Sequence, residues 1–291
     1  MRRAGGPEVA SSSLAAPTKK LKDKFAMQNS SDLSKFWEKI HSGNFKLKKE
    51  PDNKFLIFLK ECIYFSYSQY ELFFKILPKF LNKDQSLLEI GSAPGRNLVL
   101  INKLFGCKVY GIENEPKGYK QNRKVFKING LPQKNIFNGD VLNYKTLDKF
   151  DVIFSNGFIE HFENPEKILN LHTSLLKKNG LIICIIPNFL NINFTIQKIF
   201  DRKILEYHNL KIMKPNIYRK LFKDYKIQYS GYYGMFPTRI FQTNNNLLNF
   251  IIMILKPLRL ITNSLAILFS LIIDTNKISF SPFLIVIGKK R

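Results

Sequence analysis

Carboxylates and one glycine-rich turn have the types and the order that are needed to hold a nucleoside. Residues 86–97 are SLLEIGSAPGRN, an apolar run that contains Glu89, followed by small residues and then by an apolar helical period. Small residues let the chain turn sharply and leave space for a ligand against the main chain. A strand, a glycine turn and a helix in succession bring a cofactor close to the backbone in α/β folds.

Two more acids follow the next two strands of the pattern. Glu113 closes the second strand, 22 residues after Gly91, and a carboxylate there can accept hydrogen bonds from both hydroxyls of a ribose. Asp140 follows the third strand at the same edge of the sheet, where it can accept a hydrogen bond from an adenine amino group. Together with Glu89, these acids predict an adenosine ligand.

The spacing of the small residues excludes two common nucleotide sites. The dinucleotide fingerprint G-x-G-x-x-G places its third small position five residues after the first, whereas Gly91, Ala93 and Gly95 are spaced two and two. No phosphate-loop lysine follows the turn, so the pattern is not a P-loop either. We therefore expect a nucleoside cofactor without a pyrophosphate, and a sulfonium-bearing amino-acid nucleoside suits the acidic lining.

Alternating strands and helices position these residues. Hydrophobic periodicity predicts strands over residues 87–91, 107–113, 136–140, 150–155, 181–186, 225–229 and 282–287. It predicts helices over residues 31–45, 55–81, 95–105, 116–128, 165–176 and 215–222. Such alternation is typical of the α/β class, with a doubly wound parallel sheet and right-handed crossovers.

The length of 291 residues suits one large domain or two small ones. We interpret residues 1–26 as a disordered leader or a tag, because they hold five of the seven alanines and lack the apolar region of a signal peptide. Residues 27–82 are a predicted helical cap, and residues 83–291 the cofactor-binding domain. Residues 188–222 begin without a clean period, and we expect a lid or substrate region there.

Composition restricts the compartment and the partners. Cys62, Cys107 and Cys184 show no C-x-x-C spacing, which favours a reducing compartment and argues against a disulfide scaffold. The formal net charge of +24 attracts nucleic acid or an anionic membrane surface. The lysines are scattered through a sequence that is also rich in Asn, Ile and Phe, so a biased composition is the alternative explanation.

A very apolar stretch lies between the last two predicted strands, at residues 247–273. Its two runs are separated by KPLR at 256–259, and each is shorter than the roughly 20 residues that span a bilayer. We predict a helical insertion. It packs on the sheet, forms a homodimer interface, or lies on a membrane with basic residues near anionic lipid.

The motifs resemble those of class I S-adenosylmethionine-dependent methyltransferases of the small-molecule or glycan type. LLEIGSAPG at 87–95 is similar to their first motif, VYGIE at 109–113 to the second strand, and NGD at 138–140 to the third motif. FDVIFSNGFIEHF at 150–162 is similar to the fourth. The resemblance covers residues 80–190 well and the rest less specifically. It implies a Rossmann-like, mostly parallel seven-stranded sheet whose last strand is antiparallel.

The resemblance also implies the cofactor S-adenosyl-L-methionine and the residues that bind it. These residues lie in the four motifs and are Glu89, Gly91, Ser92, Ala93, Gly95, Glu113, Asn114, Asp140, Val141 and Asn156. Ala93 replaces the middle glycine of the first motif, and Pro94 follows it. Both departures leave room for the backbone to approach the cofactor.

Two histidines are the candidate catalytic residues, because a hydroxyl acceptor requires a base with a pKa near neutrality. His161 follows the fourth strand at the cofactor edge. His208 lies in the predicted lid, in a segment similar to one over the acceptor pocket of relatives. We expect His41 at the surface and His172 on a helix face. No His, Asp or Glu group has metal-ligand spacing, so no metal site is expected.

We therefore predict a methyltransferase of the EC 2.1.1 type that O-methylates a small molecule or a sugar or polysaccharide precursor. We expect it in the cytoplasm or peripherally at the inner face of the membrane. An RNA methyltransferase is one alternative, but Asn156 stands where RNA ribose methyltransferases carry an acid, and no lysine follows the fifth strand. A non-catalytic adenosine-binding or membrane-docking protein is the other.

Overall fold

A seven-stranded sheet is the frame of the protein. The computed structural model describes residues 35, 37–38, 48–62, 66–144, 148–235, 254, 258–270, 272 and 281–291. The strands are β1 (Ser86–Ile90), β2 (Lys108–Glu113), β3 (Ile136–Asn138), β4 (Phe150–Asn156), β5 (Leu176–Pro187), β6 (Tyr225–Tyr233) and β7 (Phe283–Lys290). Their order is β3-β2-β1-β4-β5-β7-β6, and only β7 runs antiparallel to its neighbours. The expected doubly wound, mostly parallel sheet is confirmed.

Helices flank the sheet. They are α1 (Lys54–Lys60), α2 (Tyr67–Tyr70), α3 (Arg96–Phe105), α4 (Pro116–Ile128), α5 (Pro165–Ser174), α6 (Ile192–Glu206), α7 (Pro215–Lys220) and α8 (Leu258–Phe269). Asn53, Glu115 and Asn164 cap α1, α4 and α5, because their side-chain oxygens accept hydrogen bonds from N–H groups of the first turn. Glycines in the left-handed region, Gly95 and Gly106, flank α3.

Two apolar layers cover the two faces of the sheet. Val152 and Phe154 of β4 belong to one layer and Ile153 to the other, because successive side chains of a strand point to opposite faces. Leu87 and Leu88 of β1 divide in the same way. The central strands are therefore apolar on both faces, which is why they are short continuous apolar runs in the sequence.

Two predicted boundaries around the sheet differ from the observed ones. The helix predicted to residue 176 ends at Ser174, and β5 begins at Leu176 rather than at 181. Leu176 pairs with Phe150 before a register shift, and the exposed residues between that pair and the apolar run hide the start of the strand. β6 extends to Tyr233 rather than 229, since it lies at the edge of the sheet and is only partly buried.

Two predicted helical regions also differ. The helix expected over 55–81 is interrupted, because Ser66 has an extended backbone and caps α2. After α2 the chain forms a π-helical turn (Glu71–Ile76) and a 3-10 turn (Leu77–Lys79). The region expected to be a lid contains α6, in which Asp201 has non-helical dihedral angles. The kink turns the second half of α6 relative to the first, so the two halves bury different sides. The sequence of this region therefore shows no clean helical period.

Buried charges hold residues 48–62 against α3. Arg96, in the first turn of α3, donates to Glu50 (Nε–Oε1 2.9 Å) and to the fully buried Glu61. Lys103 donates to the backbone carbonyl of Glu50 at 2.6 Å. The segment before the sheet is thus fixed to the helix that starts at the glycine turn. A domain boundary at residue 82 stays a prediction, and residues 1–26 lie outside the described residues.

The helix α8 lies within the apolar stretch 247–273, of which residues 247–253, 255–257, 271 and 273 are outside the described residues. One side of α8 is docked: Asn263 Oδ1 accepts a hydrogen bond from the backbone N–H of Tyr67 at 3.1 Å, and Ala266 packs against Tyr67 and Met235. No helix in the described part of the chain is both long enough and apolar enough to cross a bilayer.

Candidate active site

A cavity of about 670 Å³ lies at the carboxyl ends of β1, β2 and β4. This edge is where open α/β sheets bind their ligands, and the volume is typical of small-molecule sites. Its wall contains eight of the residues predicted from the sequence: Gly91, Ala93, Glu113, Asn114, Asp140, Val141, Asn156 and His161. The other four, Glu89, Ser92, Gly95 and His208, are not part of that wall.

The glycine turn after β1 requires glycine at two positions. Gly91 has φ +71°, and a Cβ there would lie 3.0 Å from the ring of Phe158. Gly95 has φ +92°, and a Cβ there would overlap the side chain of Asn122. Left-handed backbone is costly for residues with a Cβ. Gly95 therefore lies behind the wall and shapes the turn, rather than contacting the cavity.

Ser92 supports the same turn from behind. Its backbone N–H donates to the carbonyl of Ile112 at 3.2 Å, and its Oγ accepts from Asn122 Nδ2 at 2.5 Å. Asn122 is fully buried in α4. The turn after β1 is thereby fixed to β2 and to α4, so its conformation does not depend on a ligand.

Glu113, at the end of β2, is held by backbone N–H groups. Its Oε2 accepts from Ala93 at 3.1 Å and its Oε1 from Glu115 at 2.9 Å. Each carboxylate oxygen can accept a second hydrogen bond. The position on the cavity wall and the fixed orientation suit the two hydroxyls of a ribose.

Glu89 is a buried carboxyl behind the turn. Its Oε1 accepts from Asn97 Nδ2 at 2.9 Å, and its Oε2 has no hydrogen-bond partner among the described residues. Burial raises the pKa of Glu89 to about 8, and the nearby charge of Glu113 adds to that shift. Asn97, unlike Glu89, reaches the cavity wall, so Glu89 orients a residue that could contact the cofactor.

Asp140 and Asn156 form the polar wall beyond Glu113. Asp140 follows β3, and its Oδ1 accepts from the backbone N–H of Leu142 at 2.9 Å. Burial raises the pKa of Asp140, against the opposing effect of that N–H group. Asn156 ends β4 and lies on the same wall, while Val141 is the apolar neighbour of Asp140 there.

His161 and His208 lie side by side, with ring centroids 4.7 Å apart. His161 Nδ1 is 2.8 Å from the carbonyl of Tyr207, and His208 Nδ1 is 2.7 Å from the carbonyl of Ile204. Because a carbonyl only accepts, both Nδ1 atoms carry the proton and both Nε2 atoms carry the lone pair. Burial lowers the pKa to about 4 for His161 and about 3 for His208, so both rings are neutral at pH 7.

His172 is not on the cavity wall. His172 is fully buried in α5, and its Nδ1 is 2.8 Å from the carbonyl of Ile168. His41 lies outside the described residues. The expected helix-face position of His172 agrees with this placement.

Several wall residues were not predicted from the sequence. They are mainly aromatic or lie in the amino-terminal segment, and they include Trp37, Glu38, Asn97, Leu142, Phe158 and Phe162. Trp37 meets the ring of His161 edge-on, with 5.6 Å between the centroids. Lys117 forms an ion pair with Glu38 at 3.1 Å. Phe158 lies within the SNGF motif, the one sequence signal that could have indicated it.

The sequence suggested no metal-ligand group, but the fold assembles one. Glu160, His161 and His208 each offer a donor atom, and these atoms lie within 4.8 Å of one another. Glu160 and His208 are far apart in the sequence, so their spacing carried no signal. The spacing in the sequence therefore gave no sign of this cluster, and the expectation of no metal site stays a prediction.

Comparison with known proteins agrees with the geometry of the site. Residues 81–224 match the family model described as a methyltransferase domain. The fold and the cavity at the carboxyl ends of the strands suit an α/β domain that binds a nucleoside. Residues 81–224, just under half of the chain, are therefore a methyltransferase domain, and S-adenosylmethionine is the cofactor that this match supports.

Two curated relatives share part of that domain. Norajmaline N-methyltransferase of Rauvolfia serpentina is 33% identical over 89 residues, which are 30% of this chain and 30% of the relative. Trans-aconitate 2-methyltransferase of Enterobacter sp. (strain 638) is 26% identical over 109 residues, or 37% of this chain and 41% of the relative. The match therefore spans less than half the length of these relatives.

One solved structure illustrates the likeness of fold. The methyltransferase of Thiobacillus denitrificans in complex with S-adenosylhomocysteine has a TM-score of 0.51 and 15% identity. The superposition covers all of that protein and 84% of this chain. At this identity the likeness concerns the fold alone.

The residues of the site fit the cofactor. The turn at Gly91 and Gly95 excludes side-chain atoms from the space beside the backbone, Glu113 offers an oriented carboxylate, and Asp140 lies on the same wall. No phosphate-binding lysine follows the turn. These features suit an adenosine without a pyrophosphate.

Proposed function

We propose that the protein transfers a methyl group from S-adenosylmethionine to a small molecule. The observation that carries the proposal is the single cavity whose wall includes both the nucleoside-binding residues and His161. A donor and an acceptor held in one enclosed space can meet in the orientation that direct transfer requires, and positioning supplies much of the rate of such reactions.

We assign the cofactor-binding roles by the position of each residue on the cavity wall. Glu113 accepts hydrogen bonds from the ribose hydroxyls, and Asp140 accepts one from the adenine amino group. The backbone at Gly91 and Ala93 lies against the rest of the cofactor, with Asn114, Val141 and Asn156 completing the wall. When bound, S-adenosylmethionine supplies an electrophilic methyl group on a sulfonium centre. The chain supplies binding, orientation and exclusion of water.

His161 points to a hydroxyl acceptor. Its Nδ1–H is held by Tyr207, and burial keeps the ring neutral at pH 7, so Nε2 can accept the hydrogen bond of an acceptor hydroxyl and orient it. Because burial lowers the pKa of His161 to about 4, the ring is a weaker base than the near-neutral one expected from the sequence. Trp37 packs on the ring and excludes water from it. His208 contacts His161 from behind the wall and holds its place. We therefore propose O-methylation, with His161 as the catalytic residue and His208 in support.

The acceptor class is a small molecule, and a sugar or polysaccharide precursor is our specific proposal. The two relatives are named for a norajmaline nitrogen and for trans-aconitate, so their names do not assign one acceptor atom to this chain. The test is transfer of radiolabelled methyl groups from S-adenosylmethionine into fractions of a cell extract. Label in a carbohydrate fraction supports the proposal. Label in RNA with a steep salt dependence contradicts it.

The cofactor site has its own test, which does not require the acceptor. Calorimetry with S-adenosylhomocysteine should give micromolar binding to the wild-type chain. Asp140→Ala should weaken it by about 10- to 100-fold, because it removes a hydrogen bond to a charged group. Glu163→Gln, a substitution at an exposed acid away from the wall, is the control. Equal binding by Asp140→Ala and the wild type would show that the site is assigned wrongly.

We also propose that α8 lies on an anionic membrane at the inner face of the cell. Its outward side carries Ile261, Leu265, Leu268 and Phe269, each more than 40% exposed, and the chain carries a net charge of +24. An apolar helical face together with positive charge favours an anionic lipid surface. A lipid-linked sugar acceptor would be presented at that surface.

Liposome flotation tests this second proposal. Replacing Ile261, Leu265 and Leu268 by serine should abolish flotation with anionic vesicles while leaving S-adenosylhomocysteine binding unchanged. Ile199→Ser removes an equally exposed apolar residue from α6 and serves as the control. A triple variant that floats like the wild type, or one that changes only the oligomeric state, argues against membrane contact.

A further inference from the structure

We propose that Glu160, His161 and His208 bind a first-row divalent transition-metal ion at the wall of the cofactor cavity. The three residues offer donor atoms within 4.8 Å of one another. Two imidazoles and one carboxylate are a ligand set that such ions prefer. The proposed function requires no metal ion, so the inference goes beyond it. An ion bound at His161 Nε2 would occupy the lone pair that the metal-free chain offers to the acceptor hydroxyl.

The carboxylate of Glu160 is the first argument. The side chain is fully buried, and neither of its oxygens makes a hydrogen bond of good geometry to a described residue. The backbone N–H groups of Glu160 and Phe158 are near enough to oppose the rise of its pKa, but burial has the larger effect. An acid placed in such surroundings is costly unless a cation or a donor satisfies it. Its Oε1 lies 3.8 Å from His161 Nε2, too far for a hydrogen bond but close enough for both to bind one ion.

The two imidazoles are the second argument. Metal-ligating histidines usually donate their other ring N–H to a carbonyl or a carboxylate, which fixes the tautomer and the direction of the lone pair. His161 does so to Tyr207 and His208 to Ile204. Both rings are therefore held in the neutral form that ligates metal, and burial favours the same form.

The distances leave only a small adjustment. An ion at about 2.1 Å from each donor in a tetrahedral site brings the donors to about 3.4 Å from one another. The Glu160–His161 pair is at 3.8 Å, and the widest separation is 4.8 Å or less. Binding displaces any proton from Glu160, because the carboxylate is the ligand. With three protein ligands, a fourth position remains, and His161 places it beside the cavity.

The experiment titrates Zn²⁺ into the full chain after treatment with a chelator, without S-adenosylhomocysteine. We expect one ion to bind with micromolar or tighter affinity. Glu160→Gln, His161→Gln and His208→Gln should each weaken binding by at least about 100-fold, since loss of mere outer-shell partners costs 10- to 100-fold. His172→Gln is the matched control, because His172 makes the same Nδ1 contact to a carbonyl outside the cluster.

A second measurement covers variants that fail to fold. Loading of the wild-type chain with Co²⁺, followed by X-ray absorption, should show nitrogen and oxygen ligands with an imidazole signature. Sulfur in the first shell would assign the ion to a cysteine and overturn the proposal, as would wild-type affinity in any of the three variants. Binding of S-adenosylhomocysteine by the metal-free chain separates the two proposals, because that binding does not depend on the ion.

Discussion

The site has a cofactor half, around the turn after β1 and Glu113, and an acceptor half, around His161 and His208. Each half has one buried carboxyl off the cavity wall, Glu89 and Glu160, and the surroundings of the two carboxyls differ. In the cofactor half, Glu89 accepts a hydrogen bond from Asn97, and the adjacent Glu113 accepts from two backbone N–H groups. In the acceptor half, Glu160 makes no ordinary hydrogen bond to a described residue. Three of the four carboxylate oxygens of Glu89 and Glu113 thus have hydrogen-bond donors, with Oε2 of Glu89 as the exception. Both oxygens of Glu160 lack a donor of ordinary geometry among the described residues, and this is the difference on which the proposed metal site rests.

The largest effect is expected from Gly95→Ala in the cofactor half. A Cβ overlaps Asn122 and the positive φ is costly for alanine, so the free energy of unfolding should fall by about 2–5 kcal/mol. Binding of S-adenosylhomocysteine should be lost as the turn shifts. Urea unfolding and calorimetry measure the two effects.

Gly130→Ala is the matched control for that substitution. Gly130 has φ +73°, but a Cβ there meets nothing within 4 Å among the described residues. Gly130→Ala should lower the free energy of unfolding only by the backbone cost of about 1–2 kcal/mol. Binding of S-adenosylhomocysteine should be unchanged. Equal losses at the two glycines would show that the contact with Asn122 does not matter and that the turn is less rigid than described.

The next effect concerns both halves and depends on pH. Burial raises the pKa of Glu89 and Glu160 to about 8, above the unfolded value, so the folded state holds more protons and stability falls as pH rises towards 8. Burial lowers the pKa of His161, His172 and His208 to about 4, 4 and 3. The unfolded state therefore holds more protons on these groups, and their effect is a stability that rises with pH until the unfolded histidines lose their protons at about pH 6.5.

Between pH 6.5 and 8, the two glutamates are therefore the groups among these five whose titration changes the free energy of unfolding. The free energy of unfolding should fall there by up to about 1.4 kcal/mol per pH unit for each carboxyl. Glu89→Gln and Glu160→Gln should each remove about half of the slope, measured by urea unfolding at several pH values. The exposed Glu163→Gln should leave it unchanged. A flat wild-type profile would mean that both carboxyls are satisfied in solution.

The smallest effect is expected from Trp37→Ala in the acceptor half. Loss of the edge-on contact with His161 should lower the free energy of unfolding by about 0.5–1.5 kcal/mol and let water reach the ring of His161. The pKa of His161 should therefore rise from about 4 towards 6.5, as followed by NMR titration of the ring. Glu38→Gln breaks an exposed ion pair with Lys117, worth less than about 1 kcal/mol, and should leave the pKa of His161 in place.

The two halves also differ in how far the sequence predicts them. Gly91, Glu113 and Asp140 each follow a strand, and parallel strands bring their carboxyl ends to one edge, so local pattern sufficed. Trp37 and His208 reach His161 from distant segments, and their contacts depend on packing that periodicity does not encode. The kink at Asp201 concealed α6 for a related reason, because it divides one helix into two faces.

The position of β7 affects how the chain can fold as it is synthesised. β7 is the last described strand along the chain, yet it pairs with β5 on one side and β6 on the other. Until β7 leaves the ribosome, β6 has no strand partner in the described sheet and β5 has an open edge. Unpaired edges invite association with other chains. A nascent chain truncated before Phe283 should therefore aggregate, although every residue of the cofactor half has already been made.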